Sequence, residues 1–500
     1  MEPLRSEHNP YQDWGVPQGL HHIHDLQAID QTMPRRYTRL MLIFDFPVIS
    51  RPAVQNAITS IVRGLEVALS FYPFLAGRVG PLIHPNKEDL VQLRYGDDVD
   101  GQRARPEIFG WRIHDGPGCD YMNLCGRGMP VSHLSKQRFC ASPTLPSVSN
   151  WPPALTLQAN FLKSGGLVLC LAVMQCVADD WSIGHFLHVF RDGIRGSRTL
   201  KDRNQYRNPG ISGYIDAQVL SRIDLSSGMK TINNTPQTVE RNYSTGSPRT
   251  YIFKVSTEKA KKWRQVIVMF LEESGLAAGK MTIVDCLSAL IWVEITRIRQ
   301  IRCPGPPNRQ TKLYRLVDVR DRLFPSLGLS FFGNMHGSSI AVNRVSDFFD
   351  PTNASSVSVK QLAAAVVSIH QAAGAVNDTE VRILLADLQE LKRPVDFHIP
   401  QDVTQFNIAG IKLYSLLGIN AYIDYGIPGA TSGRKDGRPR WVRRPWLNVT
   451  DIDTVYAMPR RRADSDWEFL ICLGHLESEA FRMQLEAEPW GFTFVKDTIY

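Results

Sequence analysis

The apolar run Leu167–Met174 ends in a polar segment, Gln175-Cys176-Val177-Ala178-Asp179-Asp180-Trp181, which sets one carboxamide and two adjacent carboxylates just past the end of a strand-like stretch. A carboxylate in that place can act as a general base if burial raises its pKa toward neutrality. Asp180 also has a plainer reading, because it opens the segment WSIGHFLHVF and a helix N-terminus favours negative charge whatever the chemistry. Gln175 does not titrate, so its chemistry is that of a hydrogen-bond donor and acceptor, and an amide buried without partners would be costly. Drift in a disused site is the other reading of that residue. His185 and His188 fall one and nearly two turns into the same helix and are read as facing packing or solvent. Cys176 points away from Gln175 by strand alternation and reads as core.

Two further groups have the composition of a site. His21, His22, His24 and Asp25 resemble metal ligands, but they are crowded together with no second cluster to complete a coordination shell, so a solvated segment is expected and no metal. Arg434, Lys435, Arg438, Arg440, Arg443 and Arg444, with Arg460, Arg461 and Arg462 further on, form the strongest basic run. Guanidinium groups so placed either grip a phosphate by charge-assisted hydrogen bonds or line a solvated surface loop. Little aromatic interleaving accompanies them, so stacking on nucleic acid is not expected. The eight cysteines include no CxxC pair, which supports neither a zinc cluster nor a dithiol redox site, and reduced thiols are expected.

Composition bounds the class. With 43% hydrophobic, 21% charged and 9% aromatic residues the 500-residue chain is an ordinary globular sequence, able to bury a large core in two or three domains. The charge balance, 57 basic against 49 acidic, gives +8, which is mild for this length and suits anionic small molecules without demanding nucleic acid. Leu167–Met174 is the longest apolar run, far below the roughly 20 residues of a membrane span. The start MEPLRSEHNPYQDW lacks the apolar core of a signal peptide, so a cytoplasmic, monomeric protein with no membrane partner is expected and the sequons at Asn377 and Asn448 are discounted.

The elements that must hold these residues alternate in kind. Strand alternation marks residues 36–47, 154–162 and 166–177, the last apolar on both faces and therefore central. Helical spacing marks residues 52–70, 183–190, 256–273, 284–299 and 359–373. Residues 197–248 are rich in Gly, Pro, Asn, Ser and Thr and read as a crossover between an N-terminal domain, 1–196, and a C-terminal domain, 249–500. Residues 426–441 read as a Gly- and Arg-rich surface loop or a lip over a cavity.

Several segments, in order, resemble the BAHD acyltransferases and in particular the fungal branch that includes the trichothecene O-acetyltransferases. They are LQAIDQTMPRRYTRLMLIFDFP at 26–47, SFYPFLAGRV at 70–79, TIVDCLSALIWVEITRIR at 282–299, VDVRDR at 317–322, FFGN at 331–334 and DYGIP at 424–428, and together they span nearly the whole chain. The resemblance implies an α/β fold of two similar mixed-sheet domains, chloramphenicol acetyltransferase-like, around a central channel that coenzyme A enters from one side and the acceptor from the other. It places the catalytic HxxxDG motif on QCVADD, so Gln175 stands where the general-base histidine belongs, Asp179 matches the motif aspartate that is held through an arginine, and Asp180 replaces the glycine. It pairs Asp424 with Arg320, with Ile427 and Pro428 departing from the DFGWG pattern, and it suggests Arg434, Arg438 and Arg440 for the phosphates of coenzyme A. His336, just after FFGN, is uncommon in the resemblance and is a candidate to reach the channel.

The implied function is acyl-CoA-dependent O-acylation of a hydroxylated fungal secondary metabolite, with acyl-CoA as co-substrate and nothing permanently bound. A carboxamide cannot take the acceptor's proton, and loss of a general base typically removes about 10²- to 10⁴-fold in rate. The alternatives are a protein of the same fold repurposed as a cyclase, with Gln175 donating to a substrate carbonyl, or a catalytically silent binder.

Overall fold

The computed structural model describes residues 19–97, 106–196 except 117, 248–276, 281–327 except 307, 331–353, 356–397, 410–445 except 434 and 435, 447, and 451–495 except 488. The expected crossover at 197–248 lies outside the described residues up to Ser247, and so does Arg434. Among the described residues the strands form a five-stranded, a seven-stranded and a three-stranded sheet.

Gly166–Met174 is central to the five-stranded sheet, paired antiparallel to Tyr37–Asp45 on one side and Leu155–Leu162 on the other. Its alternate residues serve two cores. Leu167, Leu169 and Leu171 pack with Ile61, Leu65, Phe186 and Phe190 of the helices Arg51–Phe71 and Asp180–Arg195. Val168 and Cys170 pack on the other face with Tyr121, Leu134 and Phe139. Each fully buried aliphatic side chain contributes about 1.5–3 kcal/mol relative to exposure, which accounts for the unbroken apolar run of this strand up to Gln175, where it leaves the sheet. The helix that follows is longer than its apolar spacing suggested. Asp179 caps it, its carboxylate accepting from the Ser182 amide at 2.9 Å, and Gly196 ends it in a left-handed conformation with φ 65°. The two helices cross closely because of paired glycines: a Cβ on Gly193 would stand 2.7 Å from Val67 Cβ and 3.0 Å from Gly64 Cα.

The seven-stranded sheet runs His336–Arg344, Gln310–Asp318, Ile411–Ser415, Thr454–Ala457, Trp467–Gly474, Pro248–Val255 and Thr493–Phe494. It mixes parallel and antiparallel pairing. The helix Ile283–Arg302 is buried along nearly its whole length, which explains apolar residues on all its faces, and Thr282 with Asp285 forms its capping box.

The halves are laced together. Trp441–Arg443 pairs antiparallel with Tyr37–Asp45, Val442 opposite Leu42, so a strand from the second half completes the first half's sheet. The basic run accordingly divides. Arg443 is fully buried, donating to Gly128 O at 3.1 Å, Met129 O at 3.2 Å and Glu468 Oε2 at 2.8 Å. Arg440, expected among the phosphate ligands, is committed to Asp45, with Nη1 at 3.1 Å from Oδ1 and 3.3 Å from Oδ2, and lies over the Trp441 ring.

Candidate functional site

Where the central strand ends, a cleft of about 520 Å³, its open mouth included, lies between the halves. The first half contributes Met33, Arg36, Thr38, Gln175, Ala178, Asp179 and Asp180; the second contributes Leu316, Asn334, His336, Tyr414, Leu416, Arg444 and Tyr456. Gln175, Asp179, Asp180 and His336 are therefore brought together. Arg438 and Arg440 are not part of this lining.

Gln175 is held at both ends of its amide. Arg36 Nε donates to its Oε1 at 3.1 Å, and its Nε2 donates to Thr38 Oγ1 at 3.2 Å. Its backbone is fixed as well, with N donating to Arg36 O at 2.9 Å and O accepting from Asn334 Nδ2 at 2.8 Å. The Arg36 guanidinium lies 3.6 Å from Asp451. A neutral amide fits beside a cation where an imidazolium would be repelled, so Arg36 and Gln175 are a matched pair.

Asp179, although it lines the cleft, has its carboxylate engaged in a network of hydrogen bonds. Its carboxylate caps the helix, accepts from Met335 N at 3.1 Å, and is paired with Arg320 at 2.8 Å. Arg320 is 1% exposed and also donates to Gly333 O at 2.8 Å and to Asp318 at 3.2 Å. Beside it, Asp30 accepts from the Asn334 backbone and side chain, each at 2.8 Å, and burial pushes its carboxyl up to about 7. The FFGN loop of the second half is thus bolted to the first half through Ser182, Asp179, Asp30 and Gln175.

Here the structure corrects the expected Asp424–Arg320 pair. Arg320 belongs to Asp179, and Asp424 pairs instead with Arg195 at 2.6 Å, with side-chain exposures of 36% and 47%. Gly426 turns with φ 69°, and its N donates to Asp424 Oδ1 at 3.1 Å, which aims that carboxylate at the end of the helix Asp180–Arg195. An exposed pair of this kind is worth about 0–1 kcal/mol. Asp424→Asn is therefore expected to leave the thermal midpoint nearly unchanged in a melting experiment; a drop of many degrees would show that the pair carries more than its exposure allows.

The remaining candidates lie apart. His188 Nε2 meets Asn420 Nδ2 at 3.2 Å, and His185 packs on Trp181 with ring centroids 5.3 Å apart. His22 pairs with Asp97 at 2.6 Å and His24 stacks on Phe74 at 3.9 Å, so the histidine cluster has diverging partners. Cys176 is fully buried.

Asp180 and His336 face the cleft with no hydrogen-bond partner among the described residues, as do the Arg444 guanidinium and the Tyr414 and Tyr456 hydroxyls. Burial pushes the Asp180 carboxyl up to about 7, with the Asp179 charge raising it further and the Arg444 guanidinium opposing. Burial pushes the His336 imidazole down to about 4, while Asp179 and Arg320, themselves paired, act in opposite directions. Asp30, Arg36, Thr38 and the stacked rings of Tyr414 and Tyr456, 5.4 Å apart, were not singled out as site residues in the sequence, and Arg444 was singled out only within the basic run. Asp30 and Arg36 stand in the quoted segment 26–47 and Asn334 in FFGN, which is the signal that was available for them.

The sequence model of the Transferase family matches residues 135–488, more than two thirds of the chain. The chain belongs to that family. Among curated members with which this transferase aligns nearly end to end is acyltransferase BOA11 of Botryotinia fuckeliana, 24% identical, with 94% of this chain and 97% of that protein covered. Another is trichothecene 8-O-acetyltransferase of Fusarium sporotrichioides, also 24% identical and with the same coverage. The crystal structure of Fusarium graminearum TRI101 complexed with coenzyme A and T-2 mycotoxin superposes with a TM-score of 0.71 at 17% identity, covering 95% of this chain and all of that one. At that identity the superposition establishes the fold, a transferase architecture with mixed sheets. Among the described residues no helix is long and apolar enough to cross a membrane.

Proposed function

We propose that this transferase carries an acyl group from acyl-CoA to a hydroxyl of a small secondary metabolite, with Asp180 in place of the missing histidine as general base. The observation that carries the reading is an unpartnered carboxyl, Asp180 from the first half, and an unpartnered imidazole, His336 from the second, lining one cleft that opens where the central strand ends. The named relatives are acyltransferases, and the TRI101 structure was solved with coenzyme A, which supports acyl-CoA as co-substrate and a hydroxylated acceptor. A carboxyl near pH 7 is matched to proton abstraction at neutrality, because it is largely ionised yet still basic. Gln175 then serves position: clamped by Arg36 and Thr38, it holds the strand end against Asn334. On this reading residues 1–196 and 249–500 are the two domains, 197–248 the crossover, and the enzyme a cytoplasmic monomer.

The direct test is release of free coenzyme A thiol from acetyl-CoA in the presence of hydroxylated acceptors, with the acylated product identified by mass. No thiol release above hydrolysis with any acceptor would end the acyl-transfer reading. A substitution probes the replaced histidine. Gln175→His puts an imidazole against the Arg36 guanidinium, with Asp451 behind it, so its pKa is expected below the ordinary 6.5 or so. The variant should gain acyl transfer with an added limb in its pH–rate profile on the acid side of that value. An added limb above 6.5 would mean that Arg36 has swung away to Asp451.

A further inference from the structure

We propose that His336 is a second catalytic residue, a neutral imidazole whose N–H holds the thioester carbonyl oxygen as it gains negative charge. The proposal rests on the acyl-transfer reading above and assigns it an electrophilic group that the second half brings to the same cleft as Asp180.

Placement comes first. His336 begins the edge strand His336–Arg344, opposite Asp318, and the three residues before it are all anchored to groups at the domain contact. Gly333 O accepts from Ser182 and Arg320, Asn334 bonds Asp30 and Gln175, and Met335 N donates to Asp179. The imidazole is thus carried on backbone that cannot drift relative to the strand end at Gln175. Such rigidity is what a transition-state donor needs, since it must be oriented before the charge appears. The ring is 9% exposed and makes no hydrogen bond with any described residue, although it lines both the main cleft and a smaller adjoining pocket. A polar ring buried to that degree without partners is costly unless something in the cleft completes it.

Charge decides which role it takes. The ionised groups facing the ring are Asp179, from the helix cap, and Arg320, from the loop after the neighbouring strand; they neutralise each other at 2.8 Å. Burial therefore dominates, and the ring stays uncharged through the neutral range with one N–H and one lone pair. It is a poor base and a serviceable donor. Asp180, facing Arg444 and Asp179, has moved the other way, and two groups in one site whose pKa values are driven apart divide acid, base and electrophilic duties between them. Of the other donors in the cleft, the Gln175 amide is committed to Thr38, Arg36 to Gln175 and Asp451, and the Tyr414 hydroxyl has no exposed surface, while the Arg444 guanidinium, stacked over the Tyr456 ring, belongs with Asp180.

The step balances without any further reactant. The acceptor hydroxyl oxygen attacks the thioester carbonyl carbon, its proton passes to the Asp180 carboxylate, and the carbonyl π pair moves onto the oxygen that receives the His336 hydrogen bond. Collapse reforms the carbonyl, breaks the carbon–sulfur bond and returns the proton from Asp180 to the departing thiolate of coenzyme A.

The experiment compares His336→Ala and His336→Gln with wild type, using acetyl-CoA and a turned-over acceptor. Removal of one oxyanion donor typically costs about 10²- to 10³-fold in kcat, so His336→Ala should fall by that factor with KM for acetyl-CoA changed only a few-fold. The limb near pH 7 should stay in place, and His336→Gln, which keeps a donor, should recover part of the loss. Unchanged kcat in His336→Ala overturns the proposal, and disappearance of the limb overturns it in favour of His336 as the base. A turnover-independent readout separates this from failure of acyl transfer itself. The carbonyl stretch of a ¹³C-labelled ketone analogue of acetyl-CoA should shift to lower frequency in the wild-type complex and return in His336→Ala. An equal stretch in both, or no binding of the analogue, overturns the assignment whatever the turnover assay shows.

Discussion

Asp180→Asn is expected to lower acyl transfer by about 10²- to 10⁴-fold, the usual worth of a general base, and at the same time to stabilise the fold above neutral pH. Both effects have one origin. The folded protein holds the Asp180 proton far more tightly than an unfolded chain does, because burial outweighs the attraction of Arg444. The stability tied to that proton is fully present below the unfolded pKa of 3.8 and is lost as pH rises through the folded value of about 7. Asparagine has no proton to lose. The shift corresponds to at most about 4 kcal/mol between the two protonation states, so a thermal midpoint several degrees above wild type at pH 8, with little difference at pH 4, is the expected signature. The wild-type rate should climb as pH rises through about 7, and the variant should lack that limb. A variant that keeps both the limb and the rate would remove Asp180 from the chemistry and leave it a helix-terminal residue.

Arg320→Met should produce the largest loss of stability of any single change at the cleft. Arg320 is 1% exposed and satisfies Asp179, Asp318 and Gly333 O at once, joining the helix cap of the first half to the loops of the second. Truncating one partner of a buried pair typically costs about 3–5 kcal/mol, because the other charge is left buried and uncompensated. Denaturant unfolding should show a midpoint far below that of Asp424→Asn, whose partner Arg195 is half-exposed. Equal midpoints for the two variants would mean that water reaches Asp179 once the guanidinium is gone. Asp179→Asn in the Arg320→Met background removes the stranded charge and should recover part of the loss.

Local pattern was legible where one physical cause acted alone. Leu167–Met174 is apolar on both faces because the strand is covered on both, and the helix spacing at 52–70 and 284–299 comes within a few residues of Arg51–Phe71 and Ile283–Arg302. The position of the cleft followed from resemblance, which put Gln175 at the end of the central strand. Side-chain partners were another matter. Nothing in DYGIP indicates that Gly426 turns Asp424 toward Arg195, and nothing in VDVRDR says which carboxylate Arg320 meets. The basic run 434–444 looked uniform in sequence, yet Arg440 is spent on Asp45, Arg443 is a buried strand residue and Arg444 lies 4.1 Å over the Tyr456 ring beside Asp180. Charge composition is a property of the segment; which charge is buried is decided by the strand pairing at Leu42 and Val442. The raised carboxyl of Asp180 and the lowered imidazole of His336 are likewise consequences of burial that no neighbouring residue announces.

The strand Trp441–Arg443 bears on how such a chain can be recombined. A chimera that exchanges halves between residues 196 and 248 would give the first sheet an edge strand from a different parent, with foreign partners for Asp45 and for the backbone oxygens of Gly128 and Met129. The exchangeable unit is therefore discontinuous: the segment from Thr431, whose amide and carbonyl bridge Asp45, through Arg444 must travel with residues 19–196. Shuffling that respects this boundary should yield soluble hybrids, whereas a cut between residues 196 and 248 alone asks one parent's edge to fit the other parent's sheet.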